Sequence, residues 1–213
     1  MYKALLLMLA VAACSRSSEP GASVPAPRER RERKPEPPPP SGSLKITVKD
    51  ATGPVVGAAV WVDELAGRVA PGSAALELDA KGLSTSLLVL APASAISVRS
   101  ELAAPRTVTL RDPEAAADAP ALTERSLPPG GTVGLALPSS GAAVLSCAPD
   151  PCGETRIVIG AAGAVTDASG TATLRGLPVA PARVHAWHVQ KGRTDATLEV
   201  VQDKESPAEL LFP

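Results

Sequence analysis

The sequence is poor in aromatic residues. Phe, Trp and Tyr make up only 2% of its 213 residues, namely Tyr2, Trp61, Trp187 and Phe212. Sugar-binding faces and single-stranded nucleic-acid platforms stack their ligands on aromatic rings, and two tryptophans far apart in sequence make a poor platform. The formal net charge of −1 provides no basic excess. The composition therefore predicts no nucleic-acid partner.

Familiar catalytic motifs are also missing. The chain has no Gly-rich phosphate loop, no His-Glu-x-x-His and no Gly-x-Ser-x-Gly. His185 and His188 lie three apart in a β-like run, so their side chains are expected on opposite faces of a strand. A Ser/His/Asp triad can be assembled from distant residues, but no local signature supports one here. We therefore expect a protein that is not an enzyme.

The N-terminal segment has the pattern of an export signal. Lys3 precedes an apolar run from Ala4 to Ala13, about half of the roughly 20 residues that span a bilayer, and small residues end the run. The ending Val11-Ala12-Ala13-Cys14 resembles the lipobox of bacterial lipoproteins. That resemblance implies a signal peptide at 1–13, cleavage before Cys14 and a lipid anchor on its thiol. An ordinary signal peptide with a chance cysteine is the alternative.

Ser15 indicates the membrane in which the lipid anchor would lie. By resemblance, Ser rather than Asp after the lipidated cysteine favours the outer membrane, with the protein facing the periplasm.

The residues from Cys14 onward form a predicted tether. Residues 14–42 are rich in Ser, Pro, Glu and Arg and end in a proline run. Such a segment cannot bury enough apolar surface to order itself, so it is predicted to be a disordered, extended spacer. Its Arg cluster could instead contact anionic lipid heads or cell-wall polymers.

Residues 43–213 are predicted to form one all-β domain. Short alternating or apolar runs are separated by Gly, Pro and Asp turn signals, a pattern typical of an antiparallel sandwich. A hexamer nearly repeats, at Val48–Gly53 and Val165–Gly170, and each copy fits a strand that ends in an Asp-x-x-Gly turn. The predicted strands cover 44–48, 55–62, 75–78, 87–90, 95–98, 106–110, 132–137, 142–147, 155–159, 171–174, 183–188, 194–201 and 209–212.

These runs, read in order, resemble periplasmic cupredoxin-like proteins of the plastocyanin or methylamine-utilisation kind. A carboxypeptidase-regulatory-like β unit is joined to them in this resemblance. The whole resemblance extends from about Ser43 to Gly192 and implies a Greek-key cupredoxin-like sandwich. The segments that carry it are Asp50–Val62, Leu76–Gly82, Pro128–Val133, Val144–Cys147, Val165–Gly170 and Ala186–His188.

The copper ligands of the resembled family are not matched. A type-1 copper site needs two imidazoles and one thiolate. The family has His three residues after the thiolate, where this chain has Asp150 after Cys147. The family's first His falls near Arg106, which offers no lone pair to a metal. Arg106, Cys147 and Asp150 therefore mark degenerate copper-site positions, and no copper cofactor is expected.

Cys147 and Cys152 remain once Cys14 is assigned to lipid. The segment between them holds two prolines, and thiols this close in an oxidising envelope should form a disulfide. A redox switch and free thiols are the alternatives.

Together these features predict a lipid-anchored protein of the cell envelope. Its sandwich would act as a non-enzymatic binding or scaffold domain for an unknown envelope protein or polymer, with a type-1 copper site lost. One alternative is a copper electron-transfer protein. Another is a carbohydrate or cell-wall binding module, which would need Trp61 or Trp187 exposed.

Overall fold

The structure, a computed structural model, describes residues 40–65, 69–116, 118–149 and 152–213. The predicted signal peptide, Cys14, Asp150 and nearly all of the tether lie outside these ranges. Residues 38–213 form one compact unit. Its described residues form strands and no helix, so the all-β prediction is confirmed. The described part accordingly offers no helix long and apolar enough to cross a membrane.

Seventeen strands can be followed along the described chain. Eight of them, β1–β3 and β13–β17, come from its two ends, and nine, β4–β12, lie between. Their bounds are β1 Ser41–Asp50, β2 Gly53–Pro54, β3 Ala59–Val62, β4 Ser73–Asp79, β5 Gly82–Leu83, β6 Leu87–Leu90, β7 Ala95–Ser100, β8 Arg106–Arg111, β9 Thr123–Leu127, β10 Thr132–Ala136, β11 Gly141–Ala148, β12 Glu154–Ile159, β13 Ala162–Val165, β14 Thr171–Pro178, β15 Pro181–His188, β16 Gly192–Glu199 and β17 Glu205–Leu211.

The strands of the two chain ends form what we call the terminal sandwich. One sheet has the order β14-β1-β17 with β2 beside β1, and the other has the order β13-β3-β15-β16. β1 shows why they pack: Leu44, Ile46 and Val48 are fully buried and alternate with more exposed residues. This period of two points one apolar face of the strand into the core. Val60 and Val184 of the second sheet meet them there.

The strands between form a second unit, the inserted sandwich. Its sheets have the orders β10-β7-β4-β5 and β6-β12-β11-β8-β9. Its core is separate and mainly aliphatic, with Leu78, Ile96, Leu110 and Leu145 among its fully buried members. Within the predicted domain of residues 43–213, the buried side chains of the described residues thus form two large cores and a small cluster between them. The reason is that strands β4–β12 form hydrogen-bonded pairs only with one another before the chain returns to the terminal sheets.

Most strand pairs in both sandwiches are antiparallel. Three are parallel, namely β1 with β17, β4 with β7 and β6 with β12. The sheets are therefore mixed, and each parallel pair joins strands that are distant along the chain, as crossover connections require.

The two sandwiches meet at a junction centred on β3. All four residues of β3 are buried, because Val60 and Val62 face the terminal core while Ala59 and Trp61 pack against Val158 of β12. A strand that is covered on both faces has a continuous run of apolar residues, as β3 does. Gly160 is required here, since a Cβ at this position would lie 2.7 Å from the Trp61 ring. The close approach of backbone and indole fixes how β12 leads into β13.

Candidate functional site

The predicted disulfide lies at one end of the inserted sandwich. Cys147 is near the end of β11 and Cys152 stands just before β12; the structure bonds them, with Cα atoms 5.6 Å apart. Both are buried in the core. The backbone oxygen of Cys152 accepts a hydrogen bond from the amide of Leu83 at 2.9 Å. The disulfide therefore closes the β11–β12 connection and supports the neighbouring β4–β5 hairpin.

Arg106 lies near the same end of this sheet. It begins β8, and two residues further along Val108 is directly opposite Cys147 on β11. Since side chains two apart share a face, Arg106 is on the face that carries Cys147. Its Nη1 donates to the oxygen of Pro105 at 3.1 Å, while its Nε is buried without a hydrogen-bond partner among the described residues.

The two histidines lie in the other sandwich. Both are on β15, and as predicted they occupy opposite faces: Val184 and Ala186, which alternate with His185, point into the terminal core. Cys147 has its sulfur in a disulfide within the inserted sandwich. Across the described ranges no three His, Cys, Asp or Glu side chains come together in a metal-binding group. The residues described do not fit the two imidazoles and one thiolate of type-1 copper.

His185 belongs instead to a network of polar side chains on the face of the β13-β3-β15-β16 sheet that is turned away from the terminal core. Trp61 Nε1 donates to Asp63 Oδ1 at 2.6 Å, and Asp63 Oδ2 lies 2.9 Å from His185 Nε2. On the opposite side of the ring, Arg193 Nη2 lies 3.1 Å from His185 Nδ1. Arginine only donates, so Nδ1 accepts and Nε2 carries the proton. We call these four residues the Trp61–His185 network.

Burial governs the protonation of this histidine. His185 is 3% exposed, and desolvation lowers the pKa of its imidazole below the ordinary value; Asp63 opposes this effect and Arg193 adds to it. Beside it, the Arg183 guanidinium bonds Asp195 at 3.0 Å and lowers the pKa of that carboxyl. The neutral ring is thus the form that suits the network, with one nitrogen donating and the other accepting.

A cleft of about 940 Å³ opens beside the network at the junction of the two sandwiches. The terminal sandwich contributes Trp61, Trp187 and Arg193 to its wall, and the inserted sandwich contributes Arg156 and Val158. This junction cleft is also lined by acidic, hydroxyl and proline side chains, namely those of Asp63, Glu64, Asp112, Glu114, Ser139, Ser140, Pro92, Pro113 and Pro138. Such a mixture of apolar walls and a few charged groups is typical of small-molecule sites.

Two arginines cover the tryptophans of the cleft. The Arg156 guanidinium carbon lies 4.2 Å from the centre of the Trp187 ring, and that of Arg193 lies 5.2 Å from the Trp61 ring. Such stacking holds a guanidinium flat and leaves its in-plane N–H donors free to bond. Trp61 is 6% exposed and Trp187 is half-buried. Each indole has one face against a cation, which reduces the surface available to a sugar ring.

The two Asp-x-x-Gly turns adjoin one another in the terminal sandwich. Asp50 Oδ1 accepts from the Thr52 and Gly53 amides, and Asp167 Oδ1 accepts from the Ser169 and Thr171 amides. The hydroxyl-bearing residue within each turn, Thr52 or Ser169, also bonds its aspartate. Lys191 Nζ lies 2.7 Å from Asp50 Oδ2. Bonds from Lys191 and Thr52 hold the pKa of Asp50 well below its usual range, so the carboxylates of both turns act as structural acceptors.

Sequence reasoning did not find the arginines of the cleft. Arg156 directly precedes the apolar residues Ile157–Ile159 of β12, and a charged residue next to such a run was the available signal. Its partner Trp187 lies on a strand of the other sandwich, and nothing in the sequence pairs those two strands. The partnership depends on how the sandwiches meet.

Comparison with known proteins concerns the fold alone. No protein-family model matches the sequence, and no curated protein matches it either. Similar solved structures include a purple cupredoxin from Nitrosopumilus maritimus, with 12% identity over 40% of this chain and 98% of that one at a TM-score of 0.34. Auracyanin A, a blue copper protein from Chloroflexus aurantiacus, has 13% identity over 41% and 99% at 0.32.

A reduced amicyanin variant is similar as well, with 14% identity over 47% of this chain and 97% of that one, at a TM-score of 0.35. The chain thus has cupredoxins among its structural neighbours, at low identity and over less than half of its length.

Proposed function

We propose that this protein is a lipid-anchored, non-enzymatic binding protein of the cell envelope, whose cupredoxin-like part has lost its copper site. The observation that carries the proposal is the separation of the donors. Cys147 is bonded to Cys152 in the inserted sandwich, while His185 and His188 lie on a strand of the terminal sandwich. A thiolate and two imidazoles from these residues cannot form one trigonal set.

The binding role is supported by the junction cleft. A concave site of about 940 Å³ with apolar walls and two arginines lies where the two sandwiches meet. The histidine beside it is engaged on both sides of its ring: His185 is bonded to Asp63 and to Arg193. A histidine held in this way is not poised to activate a hydroxyl nucleophile, which favours binding over catalysis.

The anchor is supported by the sequence of residues 1–14, which resembles a lipoprotein signal ending at Cys14. Labelling growing cells with a radioactive fatty acid tests it. The wild-type chain should carry the label and sediment with membranes, and Cys14→Ser should lose both properties. Ser15→Ala is the matched control and should keep them. An unlabelled wild-type chain would show that Cys14 belongs to an ordinary signal peptide.

Copper loading tests the lost site. The purified chain, reduced to free Cys147 and then given Cu(II), should show no intense blue thiolate band, because no imidazole pair lies beside that sulfur. Cys147→Ser should have the same spectrum. A blue band in the wild-type chain that disappears in Cys147→Ser would establish the copper electron-transfer alternative instead.

A further inference from the structure

We infer that the junction cleft binds a short zwitterionic peptide and that Arg156 holds its carboxylate. This inference rests on the proposed binding role, to which it adds the site and the chemistry of the ligand. It depends on the free donors of Arg156, on the free carboxylates of the cleft wall and on the size of the cleft.

Arg156 is held in place with its hydrogen-bonding capacity unused. The strand β12 positions it on the face opposite the buried Ile157, where the guanidinium lies flat on Trp187 at 4.2 Å. Within the described ranges its side chain makes no hydrogen bond and no ion pair. A planar guanidinium with its in-plane donors free matches a carboxylate, which it can bind through two parallel N–H···O bonds. Because stacking already fixes its orientation, less side-chain entropy is lost on binding.

The acidic residues of the cleft wall divide into two kinds. Asp63 is engaged with Trp61 and His185, and Asp112 Oδ1 accepts the amide of Glu114 at 2.9 Å. The carboxylates of Glu64 and Glu114 are exposed and have no partner among the residues that the structure describes. They can therefore attract an ammonium group. A ligand with one carboxylate and one ammonium would satisfy both kinds of free group on the cleft wall.

The size and surface of the cleft favour a peptide of a few residues. A volume of about 940 Å³ lies near the upper end of small-molecule sites, well above what a single amino acid fills. The prolines of the wall offer apolar surface to small side chains. The hydroxyls of Ser139 and Ser140 offer bonds to a peptide backbone. Stacking of a sugar is disfavoured because cations cover one face of each indole.

Calorimetric titration of the purified full-length chain with trialanine tests the inference. Trp61 and Trp187 are the only tryptophans of the sequence, so their emission gives a second readout located at the cleft. We expect saturable binding with a change in emission. Blocking the ligand carboxylate as an amide should weaken binding about tenfold or more, and free alanine should bind at least about tenfold more weakly than trialanine.

Variants of Arg156 assign the carboxylate contact. Arg156→Gln should weaken trialanine binding about tenfold and should bind trialanine and its amide equally. Arg156→Lys, which keeps the charge but not the two-pronged geometry, should fall between wild type and Arg156→Gln. Arg175→Gln, at an exposed position on β14, is the matched control and should bind as wild type does. Circular dichroism would show that each variant is folded.

Several results would overturn the inference. These are no binding up to about 10 mM trialanine, a range that covers weak ligands, equal affinity for the amide, equal affinity for alanine, or unchanged affinity in folded Arg156→Gln. Saturable binding of a chitin tetrasaccharide in place of trialanine would overturn the peptide but leave the binding role intact. A blue copper band would refute the proposed function independently of the peptide result.

Discussion

The two sandwiches differ in the kind of residue that stabilises them. Between Ser73 and Ile159 the sequence has no Phe, Trp, Tyr or His, and the inserted core is aliphatic apart from its buried disulfide. The terminal sandwich holds Trp61, Trp187 and Phe212, both histidines and four of the five ion pairs found between described residues. Polar and aromatic chemistry is therefore concentrated in one of the two units of the described chain.

This difference follows from how each unit is assembled. The inserted sandwich is made of one continuous segment, whereas the terminal sandwich brings together β1–β3 and β13–β17 from opposite ends of the described chain. The chain leaves the terminal sandwich after β3 and returns to it at β13. At this junction Trp61 packs on Val158 and on Gly160. The cleft that we propose as a ligand site lies at this same junction, so the aliphatic unit contributes one wall and the chemically richer unit the other.

Because the two cores are separate, a mutation in one core should destabilise mainly the sandwich that contains it. This loss of unfolding free energy is the largest effect expected. Leu44→Ala in the terminal core and Leu110→Ala in the inserted core should each cost about 2–5 kcal/mol, because both side chains are fully buried. Tryptophan emission reports the terminal sandwich, so Leu44→Ala should shift its denaturant midpoint more than Leu110→Ala does.

Circular dichroism reports both units and should shift for both variants. Leu122→Ala, at a side chain that is 49% exposed, is the control and should change stability by less than about 0.5 kcal/mol. Identical shifts of both probes in Leu44→Ala and Leu110→Ala would mean that the two cores unfold as one cooperative unit. The two sandwiches would then not differ in stability, although they differ in composition.

Loss of the disulfide should weaken the inserted sandwich more than the terminal sandwich. A cross-link that closes a loop this short contributes about 2 kcal/mol by constraining the unfolded chain. We expect the double variant Cys147→Ala/Cys152→Ala to lower the circular dichroism midpoint with a smaller change in the tryptophan midpoint. A reducing agent should reproduce the effect in the wild type and leave the double variant unchanged. A wild type insensitive to reduction would mean that the thiols are free.

The strands that sequence reasoning found and those that it missed differ in a physical way. Alternation predicted β1, and the apolar run Leu87–Leu90 predicted β6, because burial of one or both faces selects those residues. β9 was not predicted: Thr123–Leu127 is mostly polar, since it is an edge strand with an exposed face. β13 was missed because Gly163 and two alanines leave little apolar signal, and Gly163 is small because Trp61 and Val89 crowd it.

The candidate site was predictable only in its local parts. Two nearby cysteines in a chain that is predicted to be exported indicate a disulfide, and the spacing of His185 and His188 on one strand indicates opposite faces. The contacts of His185 with Asp63 and of Arg156 with Trp187 join residues more than 30 positions apart. Such contacts depend on strand order and on the packing of the two sandwiches, and periodicity along the chain carries no information about either.

The buried histidine should make the terminal sandwich sensitive to mild acid, the smallest of the effects predicted. Burial lowers the pKa of His185 in the folded protein, whereas in the unfolded chain it is about 6.5. As the pH falls below about 6.5 the unfolded state takes up a proton that the folded state does not, so stability decreases until the folded ring is protonated as well. One group gives a slope of at most about 1.4 kcal/mol per pH unit.

Denaturant unfolding followed by tryptophan emission between about pH 5 and 8 measures this slope. His185→Gln, which keeps a donor for Asp63 and an acceptor for Arg193, should flatten it, and His188→Gln should leave it unchanged. The inserted sandwich contains no histidine, so Leu110→Ala should lower stability equally across this range. A slope that survives in His185→Gln would show that another group carries the acid sensitivity, and the polar network would then be no more than a set of bonds that orient Trp61 at the cleft.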